Sequence, residues 1–127
     1  MTDRHQVAQL VHELHMARLN GDLERLCGLY SEEARLRITG CADGKPFTSA
    51  AVGSAEIRPL LSGLVETFTL TQYTLLSVSI DAPRAAAHWR VDIHSKITGA
   101  LVPTELVDLI DVRDARIASH TEFVIPC

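Results

Sequence analysis

A chain of 127 residues, 46% of them hydrophobic and 22% charged, has the apolar content for one packed core, so a single domain over 1–127 is expected rather than a disordered segment. Sixteen acidic residues against twelve basic ones leave a net charge of -4, which argues against the clustered positive surface that nucleic acid needs. No apolar run is long enough to span a bilayer, and the polar start Met1-Thr2-Asp3-Arg4-His5-Gln6 has no apolar signal core, so a cytoplasmic protein with no membrane partner is expected. Cys27, Cys41 and Cys127 are far apart and odd in number. That spacing suits neither a zinc site nor a disulfide framework, and reduced thiols are the simplest expectation.

Val7, Leu10, Val11 and Leu14 recur at helical spacing and predict a helix from Thr2 to about Leu19. His12 and His15 flank that stripe and are expected at the surface. Asn20-Gly21-Asp22 ends this helix and caps the next: glycine tolerates the left-handed turn, and Asp22 accepts from free N–H groups. Leu23, Leu26, Cys27 and Tyr30 form a second apolar stripe. Ala34, Leu36 and Ile38 then alternate with Arg35, Arg37 and Thr39, which predicts a half-buried strand. Gly40 to Gly53 has no clear period and reads as a loop, with the composition of a lid over a site. Ser54 is the expected cap of a third helix carrying Leu60, Leu61, Leu64, Val65 and Phe68, with Pro59 in or near its first turn.

From Leu70 the period changes to two. Strands are predicted over Leu70 to Asp81, Arg84 to Ile97, Leu101 to Val112 and Arg116 to Pro126, with turns at Pro83, Thr98-Gly99 and Arg113-Asp114-Ala115. Asp108 interrupts the apolar face Val102, Leu106, Ile110 and Val112. A lone carboxylate on such a face needs a partner or a purpose, because burying an unpaired charge is costly. On the following strand, a three-residue turn sets His120 opposite Asp108 on the same face, whereas a two-residue turn sets Thr121 there and turns His120 away. An Asp–His pair would serve as a proton shuttle near neutral pH. The apolar set Ile117, Phe123 and Ile125 favours the second arrangement.

The order helix–helix–strand–helix followed by antiparallel strands resembles the nuclear-transport-factor-2-like superfamily, which includes ketosteroid isomerases, limonene epoxide hydrolases and SnoaL-like cyclases. Asn20-Gly21-Asp22-Leu23-Glu24 with Leu29-Tyr30-Ser31-Glu32-Glu33-Ala34 is similar to the family's stretch before its first strand. Ile110-Asp111-Val112-Arg113-Asp114-Ala115-Arg116-Ile117 is similar to its final hairpin. The resemblance implies an α+β fold with three N-terminal helices packed in a strongly curved antiparallel sheet, a cone-shaped α+β barrel of cystatin-like type. It also implies an apolar cavity and a homodimer through the outer sheet face. Of the ketosteroid isomerase residues, the base matches Ile38, the tyrosine matches Leu14, and the protonated aspartate matches Asp108. Arg90-Val91-Asp92 and Glu122 are similar to the epoxide hydrolases' charged set, but the water-positioning residues match Leu36 and Ile38; against the apolar set of the last strand, the resemblance implies that His120 and Glu122 face inward, which leaves the two arrangements even.

The alternation of Trp89, Val91 and Ile93 places those three toward the core and Arg90 and Asp92 outward, unless a bulge or a one-residue slip reverses the strand. His88, Arg90, Asp92 and His94 then form a polar outer ribbon. The residues expected to carry chemistry are Asp108, His120 and Glu122, with Arg90 and Asp92 as the second choice. Leu14, Leu36, Ile38, Leu64, Trp89, Leu106 and Ile110 are the expected wall. No cofactor motif, phosphate loop or metal-ligand cluster appears. The function this predicts is cofactor-free acid/base isomerisation, dehydration or cyclisation of a small apolar oxygenated compound. The alternative is a non-catalytic ligand-binding or dimerisation module on the same scaffold.

Overall fold

The computed structural model describes residues 2–42 and 44–125. Helix α1 spans Arg4–Asn20 and α2 spans Leu23–Gly28. Strand β1 (Tyr30–Ala42) and β2 (Lys45–Val52) precede α3 (Ser54–Thr67). The remaining strands are β3 (Phe68–Asp81), β4 (Arg84–Ser95), β5 (Leu101–Arg113) and β6 (Arg116–Ile125). Cys127 lies outside the described residues.

The helix boundaries follow from local chemistry. Asp3 accepts from the Gln6 N–H and Gln6 returns a bond to the Asp3 N–H, a capping box that opens α1. Gly21 closes that helix in the left-handed region, and the Asp22 side chain accepts from the Arg25 N–H to open α2. The cap of α3 is Gly53, not Ser54; the Ser54 hydroxyl instead donates to the Glu32 carbonyl.

The six strands form one open sheet in the order β2-β1-β6-β5-β4-β3. The α+β class and the helix-lined sheet stand as expected, with one difference of detail: β1 runs parallel to β6, so the sheet is mixed. The segment read as a lid loop is mostly strand. Residues 45–52 pair antiparallel with β1, from Ala42↔Lys45 to Arg35↔Val52. Their alternation of Phe47, Ser49 and Ala51 inward against exposed Thr48 and Ala50 is a strand signal that the small residues mask.

The β5–β6 hairpin resolves the parity that the sequence leaves open. Arg113 pairs with Arg116, so the turn holds two residues, and Asp114 and Ala115 both take positive φ, as such a tight hairpin requires. A register shift then follows. Val112 pairs with Ile117 but Asp111 pairs with Ser119, which leaves Ala118 as an extra residue. This bulge restores the inward face, so Asp108 lies opposite Glu122 and Ile110 opposite His120. Thr121 and Phe123 face outward instead.

The main core joins Val7, Leu10, Val11 and Leu14 of α1 to Leu36, Ile110 and Ile117 of the sheet, with Ile57 and Leu61 of α3. A second cluster gathers Trp89, Val91 and Leu106 beneath the C-terminal half of α1, where Leu19 packs against it. A buried polar cluster around Asp108 lies beside this tryptophan.

Candidate active site

Asp108 is fully buried on the inner face of β5 and accepts three hydrogen bonds. The Trp89 indole N–H donates to Oδ2 at 2.7 Å, His15 Nε2 lies 2.9 Å from the same oxygen, and His120 Nε2 lies 2.8 Å from Oδ1. An ionised carboxylate only accepts, so both imidazoles present Nε2–H to it. The Tyr73 hydroxyl stands 2.8 Å from Nδ1 of His15 and the Tyr30 hydroxyl 2.8 Å from Nδ1 of His120; each phenol donates to a neutral ring and accepts from a protonated one. The result is a continuous chain, Tyr73–His15–Asp108–His120–Tyr30. No buried side-chain nitrogen or oxygen among the described residues lacks a partner.

Burial alone would raise the Asp108 carboxyl, but the charge and hydrogen bond of His120, together with His15, outweigh it. They hold Asp108 below the ordinary carboxylate range. Glu122 behaves in the opposite way. Burial pushes its carboxyl up, the Arg18 guanidinium only partly offsets this, and the neighbouring Asp108 charge adds to the rise. Burial also raises the Tyr30 and Tyr73 hydroxyls. Arg18 is drawn down by its own burial but held charged by Glu122.

Arg18, in the last turn of α1, donates from a terminal nitrogen to Glu122 Oε2 at 2.8 Å. Its guanidinium carbon sits 6.0 Å from the centroid of the Trp89 ring, within cation–π range. The Arg18 and Glu122 side chains are only 10% and 3% exposed, yet both line a cavity of about 660 Å³. The rest of the wall is mainly apolar and includes Ile38, Phe47, Leu64, Phe68, Leu106 and Val124. A volume of this order suits a small organic ligand.

The expected residues therefore divide. Glu122 lines the cavity. Asp108 and His120 are buried beside it but do not line it, and His120 Nε2 lies 4.0 Å from Glu122 Oε2. Of the expected wall, Ile38, Leu64 and Leu106 line the cavity, whereas Leu14, Leu36, Trp89 and Ile110 are packed in the core. Arg90 is exposed on the outer sheet face and Asp92 is half-buried on that same face, pairing in register with Pro103. Their neighbours His88 and His94 make cross-strand bonds to Glu105 and Thr71.

His15 corrects the sequence expectation directly: it is 1% exposed, not at the surface. Its spacing carried the signal, because Val7, Val11 and His15 lie four apart on one helix face, and Arg18 follows one turn later. Tyr73 gave less warning. It follows Gln72, whose φ of 56° interrupts β3, and the register shifts between Thr71 and Thr74.

Asp108, His120 and Glu122 present ligand atoms within 4.8 Å of one another, a separation that would fit one metal ion. Those atoms are already engaged. Asp108 holds three N–H donors, and the Arg18 cation sits on Glu122, so a metal ion would have to displace a full hydrogen-bond set. Cys27 is a free thiol. Cys41 is disulfide-bonded, which corrects the expectation of three reduced thiols. No helix among the described residues is long and apolar enough to cross a membrane.

The SnoaL-like domain family matches residues 8–120, and the chain belongs to that family. No curated protein matches it significantly. Among solved structures, it is similar to a Bacillus subtilis protein described as a candidate isomerase, with 21% identity, a TM-score of 0.84, and coverage of 99% of this chain and 91% of that one. An NTF2-like protein from Burkholderia xenovorans has 18% identity and a TM-score of 0.75, covering 98% and 93%. An M. tuberculosis LEH-like epoxide hydrolase has 13% identity and a TM-score of 0.75, covering 98% and 86%. At these identities the likeness establishes the shared fold.

Proposed function

We propose that the protein is a cofactor-free acid/base enzyme acting on a small, largely apolar carbonyl compound, with Glu122 as the acid/base group and Arg18 as the oxyanion partner. One observation carries this reading: a buried carboxyl–guanidinium pair at the wall of an otherwise mainly apolar cavity. Glu122 takes a proton from the carbon next to the carbonyl, and Arg18 donates to the carbonyl oxygen. The negative charge leaves Glu122 and appears on the enolate oxygen, so one guanidinium serves both states without reorganising. The elevated carboxyl suits a base that must also return the proton.

The outcome depends on what the enolate meets. Return of the proton at a different carbon isomerises the substrate. Loss of a β-hydroxyl, which takes the proton held by Glu122 and leaves as water, dehydrates it. Attack on a second carbonyl within the same molecule closes a ring, and the new alkoxide takes that proton. Names of structural neighbours (isomerase, polyketide cyclase, epoxide hydrolase) support small-molecule chemistry of this general kind. Asp108, His15 and His120 act as positioning residues: they set the field around Glu122 and touch no substrate. The same reading includes a homodimer through the outer sheet face, where Leu109 and Phe123 are exposed side chains.

The test uses β-tetralone, an enolisable apolar ketone, incubated with the protein in heavy water. Wild-type protein is expected to incorporate deuterium beside the carbonyl far above the buffer rate. Glu122→Gln should reduce incorporation to background, and Arg18→Met should lower it by about 10²-fold or more, the usual loss when an oxyanion donor is removed. Exchange that persists in Glu122→Gln would defeat the assignment.

A further inference from the structure

Of the side chains lining the cavity, those carrying nitrogen or oxygen are Arg18, Ser49, Thr104 and Glu122. Arg18 and Glu122 form the pair already described. The Thr104 hydroxyl is spent, since it donates to the Val102 carbonyl at 2.9 Å. Ser49 differs from the rest: its side chain makes no hydrogen bond among the described residues, although it is half-buried against the cavity.

The sheet register fixes where Ser49 lies relative to Glu122. Ser49 pairs with Ile38, and Ile38 pairs with Glu122. All three are on the inner face, in one row across β2, β1 and β6. Two strand spacings separate the ends of that row, about 10 Å between backbones. Ile38 between them is 5% exposed and offers only hydrocarbon. The row therefore presents polar, apolar and polar surface in sequence along one wall.

We infer that Ser49 is a second polar contact of this cavity, and that the ligand is an apolar carbonyl compound bearing a hydroxyl or second carbonyl oxygen at the far end of a rigid hydrocarbon body. The inference rests on the reading of Arg18 and Glu122 as the carbonyl end. A ligand with one oxygen leaves the serine hydroxyl facing hydrocarbon. A ligand with a distal oxygen satisfies it, and the difference is one neutral hydrogen bond. Ser49 thus sets specificity without taking part in proton transfer.

Equilibrium binding of two probes tests this: β-tetralone, and its analogue carrying a hydroxyl on the far edge of the second ring. Wild-type protein is expected to bind the hydroxylated ketone about 3- to 10-fold more tightly than the parent. Ser49→Ala should erase that advantage, so that the two ketones bind with equal affinity. Ser49→Thr, which keeps a hydroxyl and suits a strand, should retain it. An advantage that survives Ser49→Ala, no advantage in wild type, or no binding of either ketone overturns the inference. Deuterium exchange on the same ketones separates the two proposals. Exchange without a Ser49-dependent preference sinks this inference and leaves the catalytic reading intact. The preference without exchange does the reverse.

Discussion

At the scale of single residues, the two carboxyl groups of the cluster have opposite relations to stability. Asp108 is depressed in the folded state, so its contribution is present above the unfolded carboxylate value of about 3.9 and is lost as pH falls through the folded value. Asp108→Asn leaves buried imidazole and indole donors facing an amide, and should cost about 3 kcal/mol near neutral pH in urea denaturation. The deficit should shrink in acid, where the wild-type carboxylate also loses its advantage. Glu122 is raised, so it favours folding below an unfolded value of about 4.3 and loses that contribution as pH rises through its folded value. Glu122→Gln should therefore unfold at the same or a higher urea concentration than wild type at neutral pH, while losing exchange activity. A marked drop in its stability would mean the ionised pair with Arg18 is a net structural asset. Asp108 stood out in the sequence because a charge broke a period of two. His15 and Arg18 were also legible, but only to a reading that extends the α1 apolar face past Leu14 and accepts polar residues on it.

At the scale of elements, β6 shows why the site could not be read to the residue. Its turn holds two residues, which by parity alone points His120 and Glu122 outward. The single extra residue Ala118 reverses that, and no local composition marks it as a bulge. Deleting Ala118 should therefore close the ladder with Asp108 still opposite Glu122 and Ile110 still opposite His120, so Glu122 stays at the cavity. The expected result is a folded protein that keeps its exchange activity; loss of exchange in a folded deletion variant would contradict the assigned register. Gly40 marks another close constraint. A Cβ there would lie 2.8 Å from the Val124 Cβ and 2.9 Å from the Val124 carbonyl oxygen. Gly40→Ala should therefore force β1 and β6 apart, lower stability, and disturb the cavity wall at Val124. The strand character of β2 is hidden for a different reason: Gly, Ala and Ser carry weak strand preference, and pairing with β1 overrides it.

At the scale of the whole molecule, the fold was the most legible property, because the change from helical period to a period of two at Leu70 and the order of the apolar stripes both survive small errors in boundaries. The parallel β1–β6 contact was not, since no local pattern encodes which strands become neighbours across a chain. The outer sheet face leaves Leu109 and Phe123 at 46% and 38% exposure, and sedimentation should show a dimer that Phe123→Glu dissociates; a monomer at high concentration would remove the proposed homodimer. The proposed chemistry depends on one carboxyl at the cavity wall exchanging protons while its buried neighbour stays a fixed anion. Carboxyl carbon-13 resonances of Glu122 and Asp108, followed as a function of pH in the intact protein, test that most directly. The expected result is a Glu122 resonance that titrates above the ordinary glutamate range and an Asp108 resonance that stays at its ionised position until strong acid. A Glu122 that ionises at or below the ordinary value, or an Asp108 that titrates in its place, would contradict it.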